Sequence, residues 1–546
     1  MRRGRPPYPD ILTPREQEVM ALLREGLTNQ QIADRLGISR SGVAYHVSEI
    51  LSKLGVATRE EAAAWQPEAP APRLRLPAAF AFPLHRLAGI PAYKLAGGAA
   101  IGAAGFAFGL LLFGVVVLGG GEDQEPAGPL GKLAYVHDGD IWALELPDGD
   151  PARLTDDGRN HAPRWSPSGA WLLFEKPVER GSPETWVMRA DGSDARRIDV
   201  DRRRAHAWAP AEDTLAYLTT EPAVLWVENA DGSGRTELLT AEDKGFEHIT
   251  GAVVWSPDGR WIALTAEARG DTAFPADYVG LWAVRADGAE ARELVVERDA
   301  GFGLRVAGWT PDGRQVIYSP LPSFSASFVS GGLQWFTVAL DQIDGPMQAG
   351  VQSDGDIDNQ RRVLPHEDYV DISQDGTMLA VRGGGRDFYL NKSIALVDAD
   401  QGVSFTDLTD QGEVAATSPA WSPDGSTVAY VEQPLGQGID PEGVADRRIW
   451  LMDADGSKKR RLTQSPLWEE RPQWSSDGRN VLYVLPSTPV FTEEEPRLAV
   501  LVLRNIETGE ETVVMERLQY HVNDVERGIF YFGHLDWSET FDWWRP

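Results

Sequence analysis

Cysteine is missing from all 546 residues. That excludes disulfides and thiolate metal sites and leaves the redox compartment open. Positive charge is scarce: 52 Lys and Arg stand against 82 Asp and Glu, a net charge of −30. Thirteen of those basic residues and only nine of the acidic ones lie in residues 1–94, which leaves 39 against 73 in residues 95–546. So acidic a surface repels phosphate, which excludes nucleic acid as a partner of the long C-terminal part but not of the short N-terminal one. The nine histidines are scattered, with no metal-ligand spacing. Gly-x-Ser-x-Gly, His-Glu-x-x-His and a phosphate-binding glycine loop do not occur. Asp354, Asp356 and Asp358 have calcium-loop spacing, but the glycine at position six is missing and Pro365 stands where the bidentate Glu belongs. A solvated acidic loop is expected there. These absences predict a chain that is not an enzyme and holds no cofactor or metal.

Long apolar runs are also lacking, with one exception. Leu95 to Leu118 is uncharged for 24 residues. As a helix it reaches about 36 Å, enough to cross the roughly 30 Å hydrocarbon core of a bilayer. It is too long and too far from the N-terminus for a signal peptide, and it has no polar face of the kind a soluble helix shows. Arg73, Arg75, Arg86 and Lys94 precede it, whereas Glu122, Asp123 and Glu125 follow. Basic residues mark the cytoplasmic side, so the N-terminus is expected inside and the C-terminal part outside. Six prolines between Gln66 and Ala92 make residues 66–93 a juxtamembrane tether. Gly98, Gly102, Gly105 and Gly109 share one face of the expected membrane helix (residues 94–118). The spacing suits close approach of a second copy, and a homodimer is expected.

Before the run, the pattern is helical. Thr13-Pro14-Arg15-Glu16 supplies an N-cap, a first-position proline and a capping-box glutamate. Thr28 and Gln31 repeat the cap, Ile32, Ala33 and Leu36 face inward, and Gly37-Ile38-Ser39 forms a tight turn. Val43, Val47, Ile50, Leu51 and Leu54 then make an apolar stripe. Two short helices joined by such a turn form a helix-turn-helix. The stretches LTPREQEV, GLTNQQIADRLGIS and KLGVATREEA resemble the LuxR/GerE-type helix-turn-helix family over residues 12–65. The resemblance implies dimeric binding of double-stranded DNA through the helix from Arg40 to Leu54. Base-facing positions fall on Ala44, Tyr45 and Ser48, with Arg40, Ser41 and His46 near the backbone or groove wall; Thr28, Asn29 and Lys53 complete the expected DNA-binding set. Gly42-Val43-Ala44 departs from the family's usual Thr-Val-Lys, which removes one cation from the DNA face. Residues 1–65 carry nine basic and eight acidic residues, so attraction to DNA is modest.

After the run, one unit recurs: WSPSGAWLLFE at Trp165, WAPAEDTLAYL at Trp208, WSPDGRWIALT at Trp255, WTPDGRQVIYS at Trp309, ISQDGTMLAVR at Ile372, WSPDGSTVAYV at Trp421 and WSSDGRNVLYV at Trp474. Most copies are followed by a segment such as IWLMDADGSKKRRL. Pro-Asp-Gly and Ala-Asp-Gly punctuate short alternating strands. Four strands per repeat of about 50 residues make a propeller blade. The unit from Gly131 lacks its Trp strand, and VERGIFYFG from Val525 is a strand lacking a blade, so the two are expected to close the ring. The repeats resemble the TolB-like family of WD-type propellers, which implies a fold and no particular ligand. The Trp residues that open each repeat are expected in the blade cores rather than on a sugar-binding platform.

The fold class expected is therefore multidomain: an all-α head (1–65), the tether (66–93), one transmembrane helix (94–118), a Gly/acidic linker (119–130) and an all-β propeller of about eight, alternatively seven, blades (131–540). The function expected is a membrane-anchored one-component transcription regulator, with an extracytoplasmic propeller that senses a ligand or envelope protein. With no phosphoreceiver before the head, input is expected from the propeller or from dimerisation. The alternative is an envelope scaffold whose propeller docks a protein and whose head does not bind DNA.

Overall fold

A computed structural model describes residues 130–178, 183–200, 205–244, 246, 248–268, 278–297, 302–322, 332–341, 347–348, 362–364, 367–383, 392–399, 403–435, 446–465, 467–486, 497–520 and 537–546, together with 20–24, 27, 31, 32, 35 and 47 near the N-terminus. The chain divides into two compact units, Met1–Ala107 and Phe108–Pro546. In the first, Met20–Arg24 are helical, Leu27 donates its amide to the Leu22 carbonyl at 3.2 Å, and Met20, Leu22, Leu23, Ile32 and Val47 are buried. Ile32 and Val47 are positions the helical periodicity turns inward. Among the described residues no helix is long and apolar enough to cross a membrane; the run 95–118, with Gly98, Gly102, Gly105 and Gly109, lies outside them.

The second unit is an eight-bladed β-propeller: its strands form eight separate sheets. Blade 1 comprises Lys132–His137, Asp140–Glu145, Ala152–Arg153 and Phe541–Trp544. The innermost strands of blades 2 to 8 are His161–Trp165, His206–Trp208, His248–Trp255, Phe302–Trp309, Val370–Ile372, Val414–Trp421 and Glu470–Trp474. Each ends on the first residue of a repeat unit. The ring closes in blade 1, where Lys132–His137 pairs antiparallel with Phe541–Trp544 in the register Lys132↔Trp544 to Tyr135↔Phe541. This corrects the expected closing strand. It is the last strand of the chain and not the segment from Val525, which lies outside the described residues. The misreading has a physical cause: VERGIFYFG alternates over more positions than FDWW, but pairing is decided by which segment reaches the free edge.

The turns follow from local chemistry. In blade 7 the Ser422 hydroxyl donates to Asp424 Oδ1 at 2.6 Å, the Ser426 amide to the same oxygen at 3.0 Å, and Gly425 sits at φ +68°. Those hydrogen bonds, the Ser422 hydroxyl first, hold the Asp424 carboxyl below its ordinary range. The second strands carry the repeated tyrosine. Tyr217, Tyr430 and Tyr483 are fully buried and donate to Glu228, Glu432 and Glu511 at 3.1, 3.0 and 3.1 Å. Burial, and then the neighbouring carboxylate, pushes each phenol above its ordinary pKa. Three of the repeat tryptophans bolt neighbouring blades together. Trp255, Trp309 and Trp474 donate Nε1 to the carbonyls of Ala207, Val254 and Ala420 at 3.1, 3.1 and 3.0 Å, on the inner strand of the blade before.

Blades 4 to 6 are less regular. Met347–Gln348 adds a parallel strand to blade 4 against Val295 and Val296. The run 333–339 divides at Trp335: Leu333–Gln334 pairs in blade 6 and Phe336–Ala339 in blade 5.

Candidate functional site: the central cavity

The inner strands leave one edge unpaired toward the propeller axis. Several carry a bulge just before the terminal Trp, with Ala162, Ser418 and Arg471 at φ near +50°. The bulge breaks the two-residue alternation and redirects side chains toward the centre.

The centre differs on its two sides. Toward blades 6, 7, 8 and 1 it is filled with charge. Arg447 Nη1 lies 2.5 Å from Glu470 Oε1, with both side chains about one-tenth exposed, and Trp537 Nε1 donates to Glu470 Oε2 at 2.7 Å. Burial pushes the Glu470 carboxyl up, against the pull of Arg447. Asp371 accepts the Trp421 amide at 2.6 Å, and burial raises its pKa too. Toward blades 2 to 6 there is a cavity of about 560 Å³. Its wall includes Trp165, Trp208 and Trp335, the charged Arg164, Arg305, Glu175 and Glu539, His206, and apolar Val253, Val254 and Val306. This size and mixture fit a small-molecule site.

Two features of the cavity wall bear on its chemistry. Trp165, Trp208 and Trp335 leave Nε1 buried with no acceptor, as Trp142, Trp282 and Trp421 do elsewhere in the propeller. Each such donor costs about 1–3 kcal/mol of desolvation unless something accepts from it. Beside the cavity, His161 Nδ1 lies 3.5 Å from Glu539 Oε2 and 3.9 Å from Glu175 Oε2. Two carboxylates from blades 1 and 2 thus converge on one edge, and Arg305 of blade 5 and Arg164 of blade 2 bring guanidiniums to the same wall.

The sequence-predicted DNA contacts Thr28, Asn29, Arg40, Ser41, Ala44, Tyr45, His46, Ser48 and Lys53 lie outside the described residues, as do Asp354, Asp356 and Asp358. The expectation that the repeat tryptophans are blade core fits Trp165, Trp421 and Trp474, which are at most 7% exposed. Sequence reading missed the cavity residues. Glu539 and Trp335 stand outside the repeat unit, and no local signal joins them to His161 or Arg305.

Residues 10–66 match the family model of bacterial regulatory proteins, luxR family. Over 68 residues the chain is 47% identical to the probable transcriptional regulatory protein SgaR of Hyphomicrobium methylovorum, a match covering 11% of this chain and 32% of that one. Over 71 residues it is 38% identical to the uncharacterized peptidase YuxL of Bacillus subtilis, covering 13% of this chain and 10% of that one. Among solved structures, Porphyromonas gingivalis dipeptidyl peptidase 4 aligns with 71% of this chain and 58% of its own at a TM-score of 0.44 and 14% identity. A putative TolB from Agrobacterium tumefaciens aligns with 70% of this chain and 87% of its own at 0.29 and 15%. The chain thus spans a third or less of the two curated relatives' lengths. It carries a LuxR-family transcription-regulator DNA-binding domain and an eight-bladed propeller with TolB-like and peptidase-like neighbours.

One expectation is overturned. The chain was expected not to be an enzyme, and a relative named as a peptidase removes that exclusion. The reason is physical. Motifs such as Gly-x-Ser-x-Gly report chemistry built on contiguous residues, whereas a propeller gathers side chains from many blades, where no motif search finds them.

Proposed function

We propose that the protein is a membrane-anchored one-component transcription regulator: a cytoplasmic head binds DNA as a dimer, and an extracytoplasmic propeller receives the signal. The observation that carries this reading is the joining of a LuxR-family DNA-binding domain and a propeller in one chain across the uncharged run 95–118. The basic flank before the run and the acidic flank after it support the orientation. The four spaced glycines support pairing in the membrane, which raises the effective concentration of the second head at its half-site. The Arg40–Leu54 segment is the reading helix, with Tyr45 and Ser48 one turn apart on the groove face.

Genome-wide mapping of DNA bound by the intact chain tests the regulator reading. Discrete sites are expected, and Tyr45→Ala or Ser48→Ala should weaken occupancy with the head still folded. Unchanged occupancy in both variants removes the groove assignment. Protease added to cells stripped of any outer barrier should digest the propeller and spare the head; the reverse pattern overturns the orientation. The departures at Gly42 and Ala44 favour one rival, an envelope scaffold with a head that does not bind DNA. The same mapping decides against the regulator if it returns no sites.

A further inference from the structure

We infer that His161 makes closure of the ring depend on acidity: a proton on its imidazole clamps the segment that carries the closing strand onto blade 2. This deepens the proposed sensor reading by giving it a signal, proton concentration, and rests on that reading only for the biological role. His161 opens the inner strand of blade 2, directly opposite Glu175 on the next strand. Glu539 ends the single helical turn Trp537–Glu539, two residues before the closing strand Phe541–Trp544. The imidazole Nδ1 lies 3.5 Å from Glu539 Oε2 and 3.9 Å from Glu175 Oε2. That nitrogen is buried and makes no hydrogen bond, but the side chain keeps 23% of its surface exposed, so solvent can deliver a proton to the ring. A neutral imidazole offers the two carboxylates only a dipole. A protonated one pairs with both, and one of the two pairs joins blade 2 to the closing segment. Histidine is the side chain whose ordinary titration falls between about pH 5 and 8.

The other charged groups around this point are already committed or keep their charge over that range. Arg164 stands on the same strand, and Lys176 of the next strand pairs with Asp157 at 2.7 Å. Asp542 of the closing strand accepts the Trp165 amide. In blade 1, Lys132 donates to the Gly169 carbonyl, Asp140 holds Arg153, and His137 lies 3.7 Å from Asp138. His206 of blade 3 lines the cavity wall with Glu175 and Glu539. Two more carboxylates bias the closing segment in the same direction. Glu470, beside Arg447 and Asp368, accepts Trp537 Nε1 at 2.7 Å, and Asp371 lies near Arg545. Burial raises the pKa of both, so each adds stability at low pH that is lost as pH rises through the raised value. Blades 2, 6 and 8 thus grip residues 537–545 through groups that all favour acid.

The test is hydrogen–deuterium exchange of the full chain in lipid nanodiscs at about pH 8 and about pH 5.5, read as protection factors corrected for intrinsic exchange. Protection of the closing pair, Lys132–His137 with Phe541–Trp544, should rise about fivefold in acid. The pair Trp261–Ala268 and Tyr278–Arg285 of blade 4 should change less than about twofold. His161→Gln should match the wild type at the higher pH and lose most of the rise, and Glu539→Gln should lose it too. No rise in the wild type, or an equal rise in His161→Gln, overturns the inference. So does a His161→Gln chain already less protected at the higher pH, because the residue then acts by packing alone. A clamp that behaves as expected while external pH leaves DNA occupancy unchanged supports the inference and removes acidity as the signal the sensor reads.

Discussion

At the scale of single residues, buried charge in this propeller is held by convergent donors. Asp140 is 2% exposed and accepts from Arg153 Nη2 at 2.5 Å, the Thr155 hydroxyl at 3.0 Å, the Gly158 amide at 2.9 Å and Asn160 Nδ2 at 3.1 Å. Burial alone would raise its pKa, but these hydrogen bonds outweigh burial and hold it below the ordinary 3.8. A carboxylate with a depressed folded pKa contributes stability above its unfolded value and loses it as pH falls through the folded one. Asp140→Asn places an amide donor against other donors. It should cost roughly 2–3 kcal/mol at neutral pH, with a penalty that shrinks as pH falls through the lowered folded-state pKa. Denaturant melts across pH check both. The indole bonds give a matched pair. Trp474 donates to the Ala420 carbonyl and Trp421 donates to nothing, yet both rings are buried. Trp474→Phe should therefore destabilise by about 1 kcal/mol more than Trp421→Phe. Equal losses would show that the inter-blade bond adds nothing beyond ring packing.

At the scale of elements, what was legible in the sequence was what neighbouring residues decide among themselves. The Ser-Pro-Asp-Gly turns could be read because Asp424 caps its own turn and Gly425 takes its own positive φ. The strand ends at Trp165, Trp208, Trp255, Trp309, Ile372, Trp421 and Trp474 followed from those turns. What long-range pairing decides could not be read: Lys132 opposite Trp544, the division of 333–339 between two blades, and Glu539 beside His161. The cavity is of the second kind throughout. Gly131 shows how tightly one such pairing is made. It stands at φ +106°, and a Cβ there would lie 2.0 Å from the Trp544 carbonyl oxygen. Only glycine admits the closing strand at that distance. Gly131→Ala should cost roughly 2–4 kcal/mol, whereas alanine at Gly308, where a Cβ meets nothing within 4 Å, should cost under about 1 kcal/mol. Thermal melting of the two variants side by side decides it.

At the scale of the whole molecule, the ring is held shut by a join of four residues. Seven blades draw their inner strand from the same stretch of chain as the rest of the blade, but blade 1 takes four residues, Phe541–Trp544, from the far end. That strand makes three kinds of link at once. It pairs with Lys132–His137. Its Asp542 Oδ2 accepts the Trp165 amide of blade 2 at 2.8 Å. It sends Trp543 Nε1 to the Leu130 carbonyl at 3.0 Å, where the described part of the propeller begins. It also begins two residues after Glu539 of the cavity wall. Without the strand, blade 1 presents the bare edge of Lys132–His137, and an unpaired edge seeks another strand. A chain ending at Thr540 should thus lose more than stability. It should unfold at lower denaturant, and its propeller should self-associate through the open edge in proportion to protein concentration. A synthetic peptide carrying residues 541–546, added in excess, should restore the monomeric propeller by refilling the edge. Light scattering of the truncated chain with and without the peptide reads the outcome. If the truncated chain melts and scatters as the intact one does, the ring does not depend on its C-terminal strand.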